Sequence, residues 1–156
     1  MDLYDEFFSI ISKFNRLGIR YAIVGGIALA FHGRPRFTRD IDILANGEDL
    51  EVLKTGLDSL GYEETAEPWV LPNTTLTLRR FLKVQGQDDL TIDLLLASED
   101  EDLRVIQNAI LAESAVGGVP IAGRRDIIRM KKSRNSDQDR VDISELEEDD
   151  QGREGG

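Results

Sequence analysis

Apolar residues recur at every third or fourth position in several stretches of the chain, which is the spacing of one face of an α-helix. The first stretch covers residues 2–17 and stops at Gly18, a residue type that commonly ends helices. A second covers residues 48–61, where leucines repeat on one helical face before Gly61. Four further helices are predicted at residues 26–33, 100–112, 124–132 and 136–147, the last of them capped by Ser136.

Other stretches carry the pattern of β-strands, whose side chains alternate between two faces. Residues 21–24 form a short apolar run that ends at a glycine pair, and residues 39–45 alternate, with Asp40 and Asp42 on one face and isoleucines on the other. The remaining predicted strands are residues 75–86 and 90–98, joined by the turn GQDD, and a short strand within residues 116–123. Helices and strands intermix, so we predict an α/β (α+β) fold in which helices pack on a small mixed β-sheet.

Length and composition are those of one globular domain. The chain has 156 residues, of which 40% are hydrophobic, and this is enough to build a single core. No apolar run reaches 18 residues, so we expect no membrane span, and the acidic, amphipathic start of the chain is unlike a secretory signal. The absence of cysteine excludes disulfides, thiolate metal ligands and cysteine nucleophiles. We therefore expect a cytoplasmic protein.

The charge of the chain is strongly negative and uneven. A net charge of −11 argues against broad, non-specific binding to nucleic acid, which needs a positive surface. Residues 145–154 hold six acids and one arginine, so we predict a domain at residues 1–147 followed by an acidic, disordered tail at residues 148–156.

Three aspartates stand in otherwise apolar strands. Asp40 and Asp42 point to the same side of their strand, where two like charges repel each other unless a cation neutralises them. Asp93 is flanked by isoleucine and leucines, and a carboxylate in such a strand must be paired or bind a metal. Carboxylate oxygens of this kind suit Mg²⁺ or Mn²⁺. Two simpler explanations remain open: a solvated face on an edge strand for the first two acids, and an ion pair with Arg79 or Arg80 for the third.

The glycine pair Gly25-Gly26 can be interpreted together with these three aspartates. Alone, the glycine pair is a tight turn between a strand and a helix. Together with the acids, it would let the backbone approach phosphate groups while the carboxylates hold the metal ions that bridge those phosphates.

This arrangement resembles the signature of the DNA polymerase beta-like nucleotidyltransferase superfamily: a hydrophobic residue, Gly, Gly or Ser, a spacer, Asp-hydrophobic-Asp/Glu-hydrophobic and a later acid. In this chain the signature reads Val24-Gly25-Gly26, thirteen residues, Asp40-Ile41-Asp42-Ile43 and then Asp93. Within the superfamily the chain is most similar to small bacterial members related to abortive-infection (AbiEii-like) toxins and to minimal nucleotidyltransferases. The stretches RFTRDIDI and RMKKSRNSDQDRVDISEL carry that similarity.

The resemblance implies the nucleotidyltransferase fold and a metal-dependent reaction. A nucleoside monophosphate would pass from an NTP to a hydroxyl acceptor, with release of pyrophosphate. Asp40, Asp42 and Asp93 would hold Mg²⁺ or Mn²⁺, and Asp93 would also help to deprotonate the acceptor hydroxyl.

The resemblance also implies a nucleotide-binding set. Gly25 and Gly26 would cradle the phosphates, although many active members carry Ser at the second position. Because glycine offers only its backbone N–H, we expect Arg36, Thr38 and Arg39 to add charge and donors; surface solubility is the alternative explanation for the arginines.

Several alternatives remain open on the sequence alone. The acceptor is a tRNA end, a protein hydroxyl or a small molecule. A non-catalytic binding module with a cognate toxin–antitoxin partner protein is the rival function, and a metal-dependent nuclease is a third. Lys131 and Lys132 either reach an anion or end a helix in solvent, and the second explanation is preferred. Trp69 is interpreted as a loop anchor, with base stacking as the alternative.

Overall fold

The computed structural model describes residues 1–34, 39–134 and 143–147, and within them helices and strands intermix as predicted. The helices are α1 (Leu3–Leu17), α2 (Gly25–Phe31), α3 (Leu50–Ser59), α4 (Asp100–Gln107) and α5 (Arg124–Arg134), with a 3₁₀ turn at Gly47–Asp49. The strands are β1 (Tyr21–Val24), β2 (Asp40–Asn46), β3 (Glu63–Glu64), β4 (Trp69–Val70), β5 (Thr77–Gln85), β6 (Asp88–Ala97), β7 (Ile110–Ser114) and β8 (Gly117–Ile121). Residues 143–147 form a further helical segment.

The strands form one mixed sheet, which confirms the predicted fold class. Its order is β3-β5-β6-β2-β1-β8-β7, and β4 also pairs with β5. The pairs β2–β6 and β1–β8 are parallel, and the others are antiparallel. β2 is therefore an interior strand with neighbours on both sides, so the explanation of its aspartates as a solvated edge-strand face is wrong.

α1 shows how the sequence pattern builds the core. The Asp2 carboxylate accepts hydrogen bonds from the first-turn amides of Tyr4 and Asp5, at 2.9 and 3.0 Å, and so caps the helix. Gly18 ends it in the left-handed conformation, with φ of 67°. Four side chains on one face are buried, at Phe7, Ile10, Ile11 and Phe14. Burial of side chains of this size stabilises the fold by about 1.5–3 kcal/mol each.

The structure corrects the prediction of a helix at residues 100–112. α4 ends at Gln107, and Ile110–Ser114 form the edge strand β7, which pairs with β8 through Ile110 and Ile121. The turn between the two strands explains the difference, because Gly117 has φ of 105° and reverses the chain. Pairing with a partner strand overrides the local helical pattern in this segment.

Several other predictions differ from the structure or cover residues of which only a part is described. β3 and β4 were not predicted, because two residues are too few to show alternation. The predicted helix at 136–147 is described only for residues 143–147, which are helical; Ser136 and the acidic tail at 148–156 lie outside the described residues. None of the helices in the described part of the chain has both the length and the apolar character needed to cross a membrane.

Candidate active site

A row of four side chains crosses the middle of the sheet on one face. Val24 of β1 lies opposite Asp42 of β2, which lies beside Asp93 of β6, which lies opposite Arg80 of β5. Neighbouring strands are about 4.8 Å apart, and residues in register point to the same face. The parallel pairing of β2 with β6 thus brings two of the predicted acids side by side.

Asp93 is buried and paired with Arg80. Only 8% of the aspartate is exposed. The Arg80 Nε donates to Oδ1 at 2.8 Å and its Nη2 donates to Oδ2 at 3.1 Å, a two-point ion pair that compensates for the desolvation of the carboxylate. This hydrogen bond raises the pKa of the Arg80 guanidinium. Of the two partners considered from the sequence, Arg80 is therefore the correct one, whereas Arg79 pairs with Glu64 at 2.7 Å.

Asp40 lies two residues before Asp42 on β2, in register with Thr91 and more exposed than the other two acids. Burial raises its pKa, the negative charge of Asp93 adds to that rise, and the positive charge of Arg80 opposes it. Asp40 and Asp93 therefore interact electrostatically. In the part of the chain that is described, however, no three Asp, Glu, His or Cys side chains are grouped closely enough to hold one metal ion together.

Gly25 lies directly against Asp42. Its φ is 70°, a conformation that residues with a side chain rarely adopt. A Cβ atom at this position would lie 2.0 Å from the Oδ2 atom of Asp42. Glycine is thus required here twice, by backbone conformation and by space, and it leaves bare backbone beside the carboxylate. Gly26 follows in the first turn of α2 and is buried.

Gly25, Asp42, Asp93 and Arg80 line a cleft of about 250 Å³. Residues of α5 line one side of the cleft, and residues of β4, β5 and the connection between these strands line another. Four lining residues are charged, namely Asp42, Asp93, Arg80 and Lys131; the others are Val24, Gly25, Trp69, Leu71, Thr74, Leu76, Leu78, Leu95, Ile127 and Met130. The two carboxylates and two cations balance in charge.

The structure changes the interpretation of two residues that line the cleft. Lys131 is only 5% exposed and lines the cleft, so its interpretation as a solvated helix end is wrong. Its neighbour Lys132 fits that interpretation, since it is 60% exposed and pairs with Glu147 at 3.0 Å. Trp69 lies on β4 rather than on a loop, and the Arg80 guanidinium lies 5.5 Å from the centre of its ring. The available signal was the spacing in DIIRMKK, which places Lys131 four residues after Ile127 and so on the same helical face.

The remaining predicted nucleotide-binding residues lie elsewhere or are not described. Arg39 pairs with Asp88 and donates to the Asp89 carbonyl at 3.0 Å, so it is held at the start of β6 and does not line the cleft. Arg36 and Thr38 lie outside the described residues.

A protein-family model matches more than half of the chain. The model of the aminoglycoside-2''-adenylyltransferase family matches residues 6–101. That range runs from α1 to the start of α4 and includes both glycines and the three acids. No curated protein matches the chain.

Three solved structures share the fold. The lincosamide antibiotic adenylyltransferase LnuA, solved with lincomycin bound, is 14% identical with a TM-score of 0.58, over 92% of this chain and 95% of that one. The antibiotic-resistance factor ANT(2'')-Ia is 19% identical with a TM-score of 0.52, over 99% and 97%. TM1012 of Thermotoga maritima, assigned to the nucleotidyltransferases, is 11% identical with a TM-score of 0.58, over 99% and 94%.

Proposed function

Since this chain belongs to the aminoglycoside-2''-adenylyltransferase family, and so is an enzyme that transfers a nucleoside monophosphate from an NTP to a hydroxyl group, we propose that Asp40, Asp42 and Asp93 carry the transfer in a Mg²⁺-dependent reaction. The observation that carries this proposal is the contact of Asp42 with bare glycine backbone on one side and its register with Asp93 on the other. Gly25 has no side chain there, and this gives the Asp42 carboxylate room to lie against the backbone that would bind a phosphate.

The donor atoms are of the kind that suits a divalent cation, and the three side chains would have to move closer together to hold one ion. All three side chains are carboxylates, and hard oxygen ligands are those that Mg²⁺ and Mn²⁺ prefer. Asp42 and Asp93 lie on neighbouring strands at the end of the cleft, and Asp40 lies close enough to Asp93 for its pKa to respond to that charge. When bound, the cation would neutralise phosphate charge and polarise the phosphoryl oxygens.

The chain's own groups have separate tasks in this reaction. Arg80 holds the Asp93 carboxylate in one orientation through two hydrogen bonds. Asp93 accepts the proton of the acceptor hydroxyl as the acceptor oxygen bonds to the α-phosphorus. The bond from that phosphorus to the bridging oxygen breaks at the same time, and pyrophosphate leaves with the bonding electrons. Such a displacement depends mainly on positioning and on neutralisation of charge.

Nucleotide binding rests on three described groups. The backbone at Gly25 and Gly26 would approach the phosphates, and the Lys131 ammonium would supply positive charge from α5. Arg36, Thr38 and Arg39 stay predicted nucleotide ligands, and of these Arg39 would have to give up its pairing with Asp88 to reach the cleft.

The acceptor is proposed to be a small molecule. The family is one of antibiotic adenylyltransferases, and the net charge of −11 disfavours a tRNA. No finding supports the abortive-infection subtype or a cognate partner protein.

Calorimetry tests the proposed site. Each of the four NTPs would be titrated with Mg²⁺ into the wild type and into the double variant Asp40→Asn/Asp42→Asn. We expect Mg²⁺-dependent binding by the wild type and its loss in the double variant. Asp58→Asn, an exposed position on α3, is the matched control and should bind as the wild type does. Binding that persists without the two carboxylates would overturn the metal assignment.

A further inference from the structure

The walls of the cleft are far more apolar than its end. Beyond Asp42 and Asp93, the wall from β4 and β5 consists mainly of aromatic and aliphatic side chains, and α5 contributes two more apolar residues from the other side. Trp69 and Leu78 lie opposite each other on β4 and β5, the Trp69 ring lies 5.5 Å from the Arg80 guanidinium, and Leu71 also lines this wall. Surfaces of this kind bind ligands chiefly by removing apolar area from water.

No carboxylate in the described lining of the cleft is left for a positively charged ligand. Both carboxylates of that lining, Asp42 and Asp93, are assigned to the proposed cation site at the reaction end, and Asp93 is also bonded to Arg80. The other two charged lining residues, Arg80 and Lys131, are positive. A ligand with several ammonium groups would have to desolvate them against leucines and a tryptophan, which is costly without paired carboxylates.

We propose that the acceptor of this enzyme is an amphipathic hydroxyl compound with at most one positive charge, whose apolar side lies against Trp69, Leu71 and Leu78, and that polycationic aminoglycosides are not its substrates. This inference rests on the proposed function, because the apolar wall leads directly to Asp42 and Asp93. It goes beyond the family assignment, since the name of that family refers to acceptors with several amino groups.

Trp69 provides a direct readout because it is the only tryptophan in the chain and lines the cleft. Its emission would be followed while the Mg²⁺- and nucleotide-loaded wild type is titrated with three probes. Lincomycin and hexyl β-glucoside are amphipathic hydroxyl compounds with one amine and none, and tobramycin is a polyamine. We expect a saturable change in emission with at least one amphipathic probe and none with tobramycin.

Pyrophosphate release, measured in the same samples, distinguishes failure of the proposed acceptor class from failure of the proposed function. Saturable tobramycin binding with pyrophosphate release overturns the acceptor class but supports the proposed function. No response to either amphipathic probe also overturns the acceptor class. Failure of the proposed function would show earlier, as absence of Mg²⁺-dependent nucleotide binding in calorimetry.

A pair of variants on one strand tests the role of the wall. Trp69→Ala should raise the KM for the responding probe about tenfold and the KM for the nucleotide by much less, because apolar surface is lost from the wall while Arg80 keeps its two hydrogen bonds to Asp93. Trp69→Phe should restore most of the affinity. Val70→Ala is the control, since Val70 is 61% exposed and does not line the cleft. Equal effects of Trp69→Ala and Val70→Ala on the acceptor KM would contradict a specific role of this wall.

Discussion

The two faces of β2 differ completely in chemistry although they are made by alternating residues of one strand. Ile41 and Ile43 are fully buried in the hydrophobic core, whereas Asp40 and Asp42 point to the opposite side, where Asp42 lines the cleft. β5 repeats the arrangement, because Arg80 binds the buried Asp93 and its neighbour Arg79 binds Glu64. A single step along either strand therefore separates residues whose contacts lie away from the cleft from residues of the proposed active site.

The largest effect is expected from Asp42→Ala on the cleft face. Transfer should fall by at least about 10²–10³-fold, because the variant lacks a carboxylate at the reacting phosphate. The melting temperature without metal should stay the same or rise, since one of two adjacent like charges is gone. Pyrophosphate release and thermal unfolding measure the two quantities. Transfer at the wild-type rate would remove Asp42 from the proposed site.

Ile43→Ala, one residue further and on the core face, should show the reverse pattern. Truncation of a fully buried isoleucine leaves a cavity and should lower the free energy of unfolding by about 2–5 kcal/mol. Transfer per folded molecule at low temperature should change little. Denaturant unfolding and active-site titration with nucleotide would measure both; a folded variant without transfer would mean that the two faces are not separable.

Gly25→Ala should lower both the stability of the fold and nucleotide binding, whereas Gly33→Ala should lower stability alone. Both glycines have positive φ, of 70° and 87°, but a Cβ at position 25 would collide with Asp42, whereas one at position 33 would meet nothing within 4 Å. We expect each variant to lose about 1–2 kcal/mol of stability from the backbone conformation. Only Gly25→Ala should also lose nucleotide binding in calorimetry. Similar binding by the two variants would show that the displaced Asp42 is unimportant.

Arg80→Gln and Arg79→Gln compare the same change on neighbouring residues. Arg80→Gln should lower kcat about tenfold or more by releasing Asp93, and the acidic limb of the pH–rate profile should move to higher pH because the Arg80 charge no longer opposes the rise in the pKa of Asp40. Arg79→Gln should leave kcat and the profile unchanged. An unchanged pH–rate profile in Arg80→Gln would reduce Arg80 to a structural residue.

The smallest effect is expected in the acid stability of Arg79→Gln. The hydrogen bond from Arg79 lowers the pKa of Glu64. Because the pKa of Glu64 is lower in the folded than in the unfolded chain, its ionised carboxylate stabilises the fold at pH values above the ordinary pKa near 4.5. This contribution is lost as the pH falls through the folded pKa. The variant should therefore be less stable than the wild type at pH 6, and the difference should shrink as the pH falls below 4.5 and through the folded pKa. Unfolding curves over this range check the sign.

The difference between the faces was predictable from the sequence, but the composition of the cleft was not. The alternation in RDIDILA assigns Asp42 and Ile43 to opposite faces because strand geometry has a period of two. The neighbourhood of Asp42 and Asp93 depends on a parallel pairing of β2 with β6, and no local pattern specifies strand order. The sequence suggested this neighbourhood only through the resemblance to a known signature.

Lys131 and Trp69 show the other limit of sequence reasoning. The exposure of a lysine near a helix end depends on where the helix docks, and α5 docks over the cleft so that Lys131 is buried. Trp69 lies on a two-residue strand whose position is set entirely by its pairing with β5. Both residues were visible in the sequence, and neither could be placed without long-range contacts.

The parallel pairing of β2 with β6 has a consequence for how the enzyme becomes active after synthesis. α3 and three strands separate the two partners along the chain, so this contact closes a long loop and belongs to the slow class of folding events. Helix α1 and the β5–β6 hairpin can form early from local contacts, but Asp42 and Asp93 meet only when the loop has closed. Catalytic competence should therefore appear in the last kinetic phase of refolding, after most of the helical signal has returned.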